Sequence, residues 1–212
     1  MNRGWLVLTL LLSSFSAVAV DTATSAPTKI LYLGDSLTEG YGVTKAQSFP
    51  TLVTARLNQK FVEAKSPKRV EALYGGIAGS TSASGLSRLK WFLKAKPQVL
   101  FLALGINDGM RGVPVTTIEK NLDSTLALAH EQGMKIVLGG MKLPPNFGRK
   151  EAAEFEAIYS KLSKKYSTAL IPFILEGVAA EKALNIEDGI HPNAKGHEKI
   201  ANLITPYLEK VL

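Results

Sequence analysis

The chain has 212 residues, 46% of them hydrophobic, with a formal net charge of +7 and no cysteine. That length suits one globular domain with its own core and leaves no room for a second, while the missing cysteines exclude disulfides, thiol nucleophiles, lipid attachment through a Cys and Cys-based metal sites. Lys and Arg are scattered along helical stretches and form no basic cluster interleaved with stacking aromatics, so the charge balance argues against nucleic acid and fits at most a transient contact with a membrane surface.

Residues 1–19 do not read as part of the domain. Arg3 precedes an apolar run from Trp5 to Leu12, followed by small residues ending in Ala17, Val18 and Ala19. This is the pattern of a signal peptide cleaved after Ala19, which implies a periplasmic or secreted protein. The apolar run is short against about 30 Å of hydrocarbon, so an uncleaved anchor is the weaker alternative. Loss of Arg3 leaves 24 basic against 18 acidic residues.

The domain itself is expected over residues 28–212. Apolar runs bounded by Gly or Pro alternate with segments of helical period, the pattern of βα units around a parallel sheet. Five strands are predicted, at residues 30–33, 70–74, 99–104, 136–138 and 170–173, each apolar enough to be buried on both faces. Between them Phe49, Leu52, Val53 and Leu57 share one helical face, as do Ile118, Leu122, Leu126 and Ala129, and Phe155, Ile158, Tyr159 and Leu162. A last helix over residues 194–211 follows Pro192, is capped by Asn193, and turns Ile200, Leu203, Ile204 and Tyr207 inward. The fold class is therefore α/β, a three-layer sandwich with a central five-stranded parallel sheet and its ligand site at the carboxyl ends of the strands.

Four segments at those ends carry chemistry. The first strand runs into Gly34-Asp35-Ser36, where Ser36 either caps a helix or serves as a nucleophile with its own N–H beside its hydroxyl. A serine hydroxyl needs a base, and an imidazole needs a carboxylate to fix its tautomer, a pair that Asp188 and His191 can supply from one turn. The other two histidines fit other roles: His130 lies near the end of a predicted helix, as a surface residue, and His197 lies within the last helix, as a structural one. Asn107, beyond the third strand, can turn an amide N–H onto a developing oxyanion, and Gly79, beyond the second, lets a backbone N–H approach a ligand closely. Each of these is also a common turn residue, and their joint placement after successive strands is what favours function.

These blocks, taken in order as Gly34-Asp35-Ser36, Gly79, Gly105-Ile106-Asn107-Asp108 and Asp188-Gly189-Ile190-His191, resemble the SGNH (GDSL) hydrolase family. Further stretches, Gly40-Tyr41, Gly85-Leu86-Ser87-Arg88-Leu89, Gly109 to Gly112 and Leu143 to Arg149, are similar to its bacterial thioesterase I, protease I and lysophospholipase group. The resemblance implies a flavodoxin-like sheet order and a catalytic triad of Ser36, His191 and Asp188. It also implies an oxyanion hole made of the Ser36 N–H, the Gly79 N–H and the Asn107 side chain. The expected activity is that of an esterase or thioesterase on medium to long acyl chains, lysophospholipids or aryl esters, with no cofactor and no metal. A carbohydrate acetylesterase using the same five residues is the alternative. The loop over residues 142–149 follows the fourth strand, and its Leu143, Pro144, Pro145 and Phe147 either pack into the core or line an acyl pocket. Two prolines beside Gly148 suit a hinged flap, and the resemblance points the same way.

Overall fold

The computed structural model describes Met1 and residues 26–212. The expected signal segment therefore lies outside the described residues, Met1 apart. Strand β1 is Thr28–Gly34, and a single helical turn, α1 (Ser36–Glu39), leads to helix α2 (Phe49–Glu63) and strand β2 (Val70–Gly76). Helix α3 (Gly85–Phe92) then connects to β3 (Val99–Ala103), and the short α4 (Ile106–Met110) and long α5 (Val115–Glu131) lead to β4 (Lys135–Gly139). Helix α6 (Arg149–Tyr166), β5 (Ala169–Ile171) and α7 (Ala194–Val211) complete the chain.

The sheet is parallel throughout, in the order β2-β1-β3-β4-β5. This is the flavodoxin-like order that the resemblance implies. Helices α2 and α7 pack together on one face, and α3, α5 and α6 on the other. The order follows from handedness: right-handed crossovers carry the chain from β1 to β2 over one face, then back past β1 to β3 over the other. The chain thus departs on opposite sides of β1 at the carboxyl ends of β1 and β3, which opens a crevice there.

The predicted stripes form the core. Ile118, Leu122, Leu126, Ala129, Phe155, Ile158, Tyr159 and Leu162 are buried, as are Phe49, Val53 and Leu57, with Leu52 half-buried. Asn193 caps α7 by accepting the N–H groups of Lys195 and Gly196. Two expectations need correction. Burial on both faces holds for β1 and β3 but not for β2, whose Glu71 and Tyr74 are exposed, nor for β5, where Ala169 and Leu170 are half-buried. These two are the sheet's edges, and local apolarity carries no information about strand order. The strand bounds also shift by one to two residues: Gly34, Gly75, Gly76 and Gly139 continue the ladders of β1, β2 and β4 past the apolar runs, whereas β3 and β5 end earlier than expected, at Ala103 and Ile171. No helix among the described residues is long and apolar enough to cross a membrane.

Candidate active site

Ser36 is the first residue of α1, directly beyond the central strand. Asp35, buried behind it, accepts the Leu37 N–H at 3.1 Å and caps the turn. The Ser36 carbonyl accepts the N–H groups of Gly40 and Tyr41 at 3.1 and 3.0 Å, while the Ser36 N–H has no acceptor among the described residues. The hydroxyl and a free amide donor of one residue therefore lie together at the crevice.

The opposing segment precedes α7. The Ile186 N–H donates to the His191 carbonyl at 2.8 Å and Asn193 N–H to the Leu184 carbonyl at 2.9 Å, so residues 185–192 close into a loop with His191 on its inner arm. Asp188 stabilises the tip by accepting the N–H groups of Ile190 and His191 on Oδ1 at 2.8 and 2.9 Å. Its Oδ2 lies 2.6 Å from His191 Nδ1, and His191 Nε2 lies 3.0 Å from Ser36 Oγ. The His191 backbone N–H, the other local donors and the imidazole hold the Asp188 carboxyl down at about 2, so it is ionised at neutral pH. An ionised carboxylate on Nδ1 fixes the proton there and leaves Nε2 to accept one from the serine hydroxyl.

Asn107, on α4, is half-buried and donates one amide hydrogen to the Ser80 carbonyl at 3.0 Å. Its NH₂ has a second hydrogen. Gly79 occupies a turn closed by the Ser80 N–H on the Ile77 carbonyl at 3.2 Å, and its φ of +72° is a conformation that residues with a Cβ rarely adopt. The structure thus brings Ser36, His191 and Asp188 into one hydrogen-bonded series, with Gly79 and Asn107 held together through Ser80.

The other two histidines stand apart from the series. His130 is exposed at the end of α5. His197 is fully buried, stacks on Phe49, and accepts the Phe49 N–H on Nδ1 at 3.3 Å. Burial holds its imidazole down at about 4, neutral in the folded protein.

The loop after β4 forms a single 3-10 turn, Pro145–Phe147. Leu143 and Phe147, both half-buried, line a groove of about 500 Å³ with Gly109, Val113, Ile118 and Phe155. Glu151 and Glu154 also line it, whereas Pro144 does not. Gly109, two residues beyond Asn107, is part of the groove's lining, and the Leu143 side chain packs against its Cα face.

Several site residues escaped the sequence reading although they lie in or beside the blocks it singled out. Asp108 is buried and accepts both the Ser82 N–H and the Ser82 hydroxyl, at 2.7 and 2.6 Å, fixing α4 against the loop beyond β2. Arg88 donates to the Gly34 carbonyl at 3.0 Å and to the Gly75 carbonyl, bracing the ends of β1 and β2 under Asp35. Glu39 accepts the Ala78 N–H at 2.6 Å. All three bind residues distant in sequence, which no local pattern shows.

Fold and site together define a class: an α/β protein with a serine, imidazole and carboxylate in series at the switch point of a parallel sheet. Residues 32–199 match the model of the GDSL-like lipase/acylhydrolase family. The chain is 33% identical over 204 residues to "Esterase TesA" of Pseudomonas aeruginosa, covering 96% of this chain and 98% of that protein. It is 34% identical over 206 residues to "Thioesterase 1/protease 1/lysophospholipase L1" of Escherichia coli strain K12, covering 97% of this chain and 91% of that one. A crystal structure of TesA superposes with a TM-score of 0.77 at 33% identity, over 87% of this chain and 100% of that chain. The chain belongs to the GDSL-like lipase/acylhydrolase family. It is a carboxylic ester hydrolase.

Proposed function

We propose that the protein hydrolyses esters and thioesters of medium to long acyl chains by two-step acyl transfer on Ser36. The observation that carries this reading is the series Asp188 Oδ2 to His191 Nδ1 at 2.6 Å and His191 Nε2 to Ser36 Oγ at 3.0 Å. His191 takes the hydroxyl proton as Ser36 attacks the acyl carbonyl, and Asp188 stabilises the imidazolium so formed. The Ser36 N–H, the Gly79 N–H and the second amide hydrogen of Asn107 receive the oxyanion. His191 then protonates the leaving alcohol or thiol, and a water activated by the same imidazole releases the acid.

These steps need no metal or cofactor, since the charge that develops is met by hydrogen-bond donors and by Asp188. The apolar groove beside Gly109 favours an acyl chain over the acetyl group of a carbohydrate ester. The pattern of residues 1–19 supports export with cleavage after Ala19, which the mass of the exported protein checks directly.

The test is labelling with a fluorophosphonate. The wild type should carry one adduct on Ser36, and Ser36→Ala should lose both the adduct and roughly a millionfold in turnover. A folded Ser36→Ala protein that still hydrolyses esters at a substantial rate would sink the assignment.

A further inference from the structure

An oxyanion hole is effective only when its donors are already aimed before charge develops. The Gly79 donor lies in a turn over residues 77–80 whose Ile77, Ala78 and Gly79 are all exposed. A Cβ built on Gly79 would meet nothing closer than Arg111 Nη2 at 3.6 Å. Packing does not hold this turn, so hydrogen bonds must. Three of them reach it from outside: the Ile77 N–H on the Gly34 carbonyl at 3.3 Å, Asn107 Nδ2 on the Ser80 carbonyl at 3.0 Å, and the Ala78 N–H on Glu39 Oε2 at 2.6 Å.

The last is the shortest and the one with a carboxylate acceptor, and bonds to carboxylates are stronger than those between neutral groups. Glu39 is also the last residue of α1, whose first residue is Ser36. This single helical turn is packed directly against β2. A Cβ at Gly76 would lie 2.2 Å from the Glu39 backbone N and 2.5 Å from its Cα, so the two backbones are in contact and only glycine fits between them. One rigid turn therefore carries the attacking hydroxyl at its start and, at its end, a carboxylate bonded to the residue next to Gly79.

We propose that Glu39 is a positioning residue, which holds the Gly79 N–H in register with Ser36 Oγ through its bond to the Ala78 N–H. The proposal rests on the oxyanion role given above to Gly79 and Asn107. Glu39 touches no reacting atom. Its negative charge works against an oxyanion if it acts at all, so its contribution is that of an acceptor, which a neutral amide can also supply.

The experiment measures steady-state hydrolysis of a p-nitrophenyl ester by wild type, Glu39→Ala, Glu39→Gln, Ala78→Pro, the Ala78→Pro/Glu39→Ala double variant and Asn107→Ala, with Tm recorded for each. Glu39→Ala should lower kcat about tenfold at unchanged KM and nearly unchanged Tm, the scale of one charge-assisted hydrogen bond. Its affinity for an alkyl boronic acid, whose tetrahedral adduct on Ser36 puts an oxygen in the hole, should fall in parallel. Glu39→Gln should recover most of the loss, because its Oε1 still accepts. Ala78→Pro removes the donor at a turn position that tolerates proline, and in that background Glu39→Ala should cost nothing more.

A wild-type kcat in Glu39→Ala, a Gln variant as slow as the Ala variant, or an added loss in the double variant overturns the proposal. Asn107→Ala separates the two layers of argument. If it is slow while Glu39→Ala is not, only the positioning role falls. If Asn107→Ala is as fast as wild type, the oxyanion reading fails and takes the proposal with it.

Discussion

The ring of Tyr41 lies against the imidazole of His191, with centroids 4.7 Å apart and planes inclined by 48°. Tyr41 is half-exposed and donates its N–H to the Ser36 carbonyl, so the turn that carries Ser36 also buttresses the His191 ring. Tyr41→Ala should lower kcat about two- to tenfold, the range of one aromatic pair, by letting the imidazole turn away from Ser36 Oγ. Tyr41→Phe should stay near wild type. Steady-state rates on one ester check both, and equal losses in the two variants would point to the hydroxyl instead of the ring.

The three histidines should separate cleanly. His191→Ala should lose nearly as much turnover as Ser36→Ala, since it removes the only base within reach of the hydroxyl among the described residues. His130→Ala, at an exposed helix end, should leave both rate and Tm close to wild type. His197→Ala should keep turnover within a few-fold but lower the Tm, because it opens a cavity beside Phe49 and strips the Phe49 N–H of its acceptor. Equal loss of turnover at all three would contradict the assignment of the base.

Two buried groups give stability an unusual pH dependence. His197 is held at about 4 against 6.5 when unfolded, so as pH falls through that window the unfolded chain takes up a proton that the folded one refuses, and stability drops. Burial pushes Asp35 up to about 6 from 3.8, so as pH rises through that window the unfolded chain releases a proton that the folded one keeps, and stability drops in the opposite direction. Each contribution is on the order of 3 kcal/mol, and between pH 4 and 6 they oppose. Asp188, held down at about 2, adds its own loss only below pH 3.8. Calorimetry should find a Tm nearly flat from pH 4 to 6 in wild type. In Asp35→Asn, which keeps the capping acceptor, the Tm should fall steeply on acidification. An Asp35→Asn profile parallel to wild type would mean that the Asp35 carboxyl titrates as an ordinary one.

Acyl preference should follow the groove beside Gly109. Each methylene buried there contributes up to about 0.8 kcal/mol, so octanoyl esters should exceed acetyl esters in kcat/KM. Phe147→Ala should shrink that ratio and leave acetyl ester hydrolysis nearly unchanged. A wild type that prefers acetyl esters, or a Phe147→Ala variant slow on both, would favour the carbohydrate acetylesterase reading.

What the sequence disclosed, and what it hid, divides along chain distance. The placement of Ser36, Asn107 and Gly79 at strand ends was legible because each follows an apolar run, and the contact of Asp188 with His191 because three residues span the pair. The helical stripes were legible because periodicity is local. The exposure of β2 and β5 was not, since strand order depends on crossovers that no window of sequence contains. The same limit hid Glu39, Arg88 and Asp108, whose partners Ala78, Gly34 with Gly75, and Ser82 become neighbours only once the sheet has assembled. His197 was rightly set aside as structural, but its role as acceptor for Phe49, 148 residues away, could not be read.

The spacing of Ser36 and His191, 155 residues apart, has a consequence for when the protein can act. All five strands are present once Ile171 is reached, and Ser36, Gly79 and Asn107 precede that point, yet Asp188 and His191 arrive only with the closing segment. That segment is fastened to the start of the domain by α7, through His197 on the Phe49 N–H, Arg56 on the Glu198 carbonyl and Lys60 on Glu209. On the proposed mechanism, competence appears during synthesis in one late step, when the last fifth of the polypeptide docks. On the same mechanism, a ribosome stalled or a protease cutting ahead of residue 188 leaves Ser36 without its base and unable to attack the esters around it.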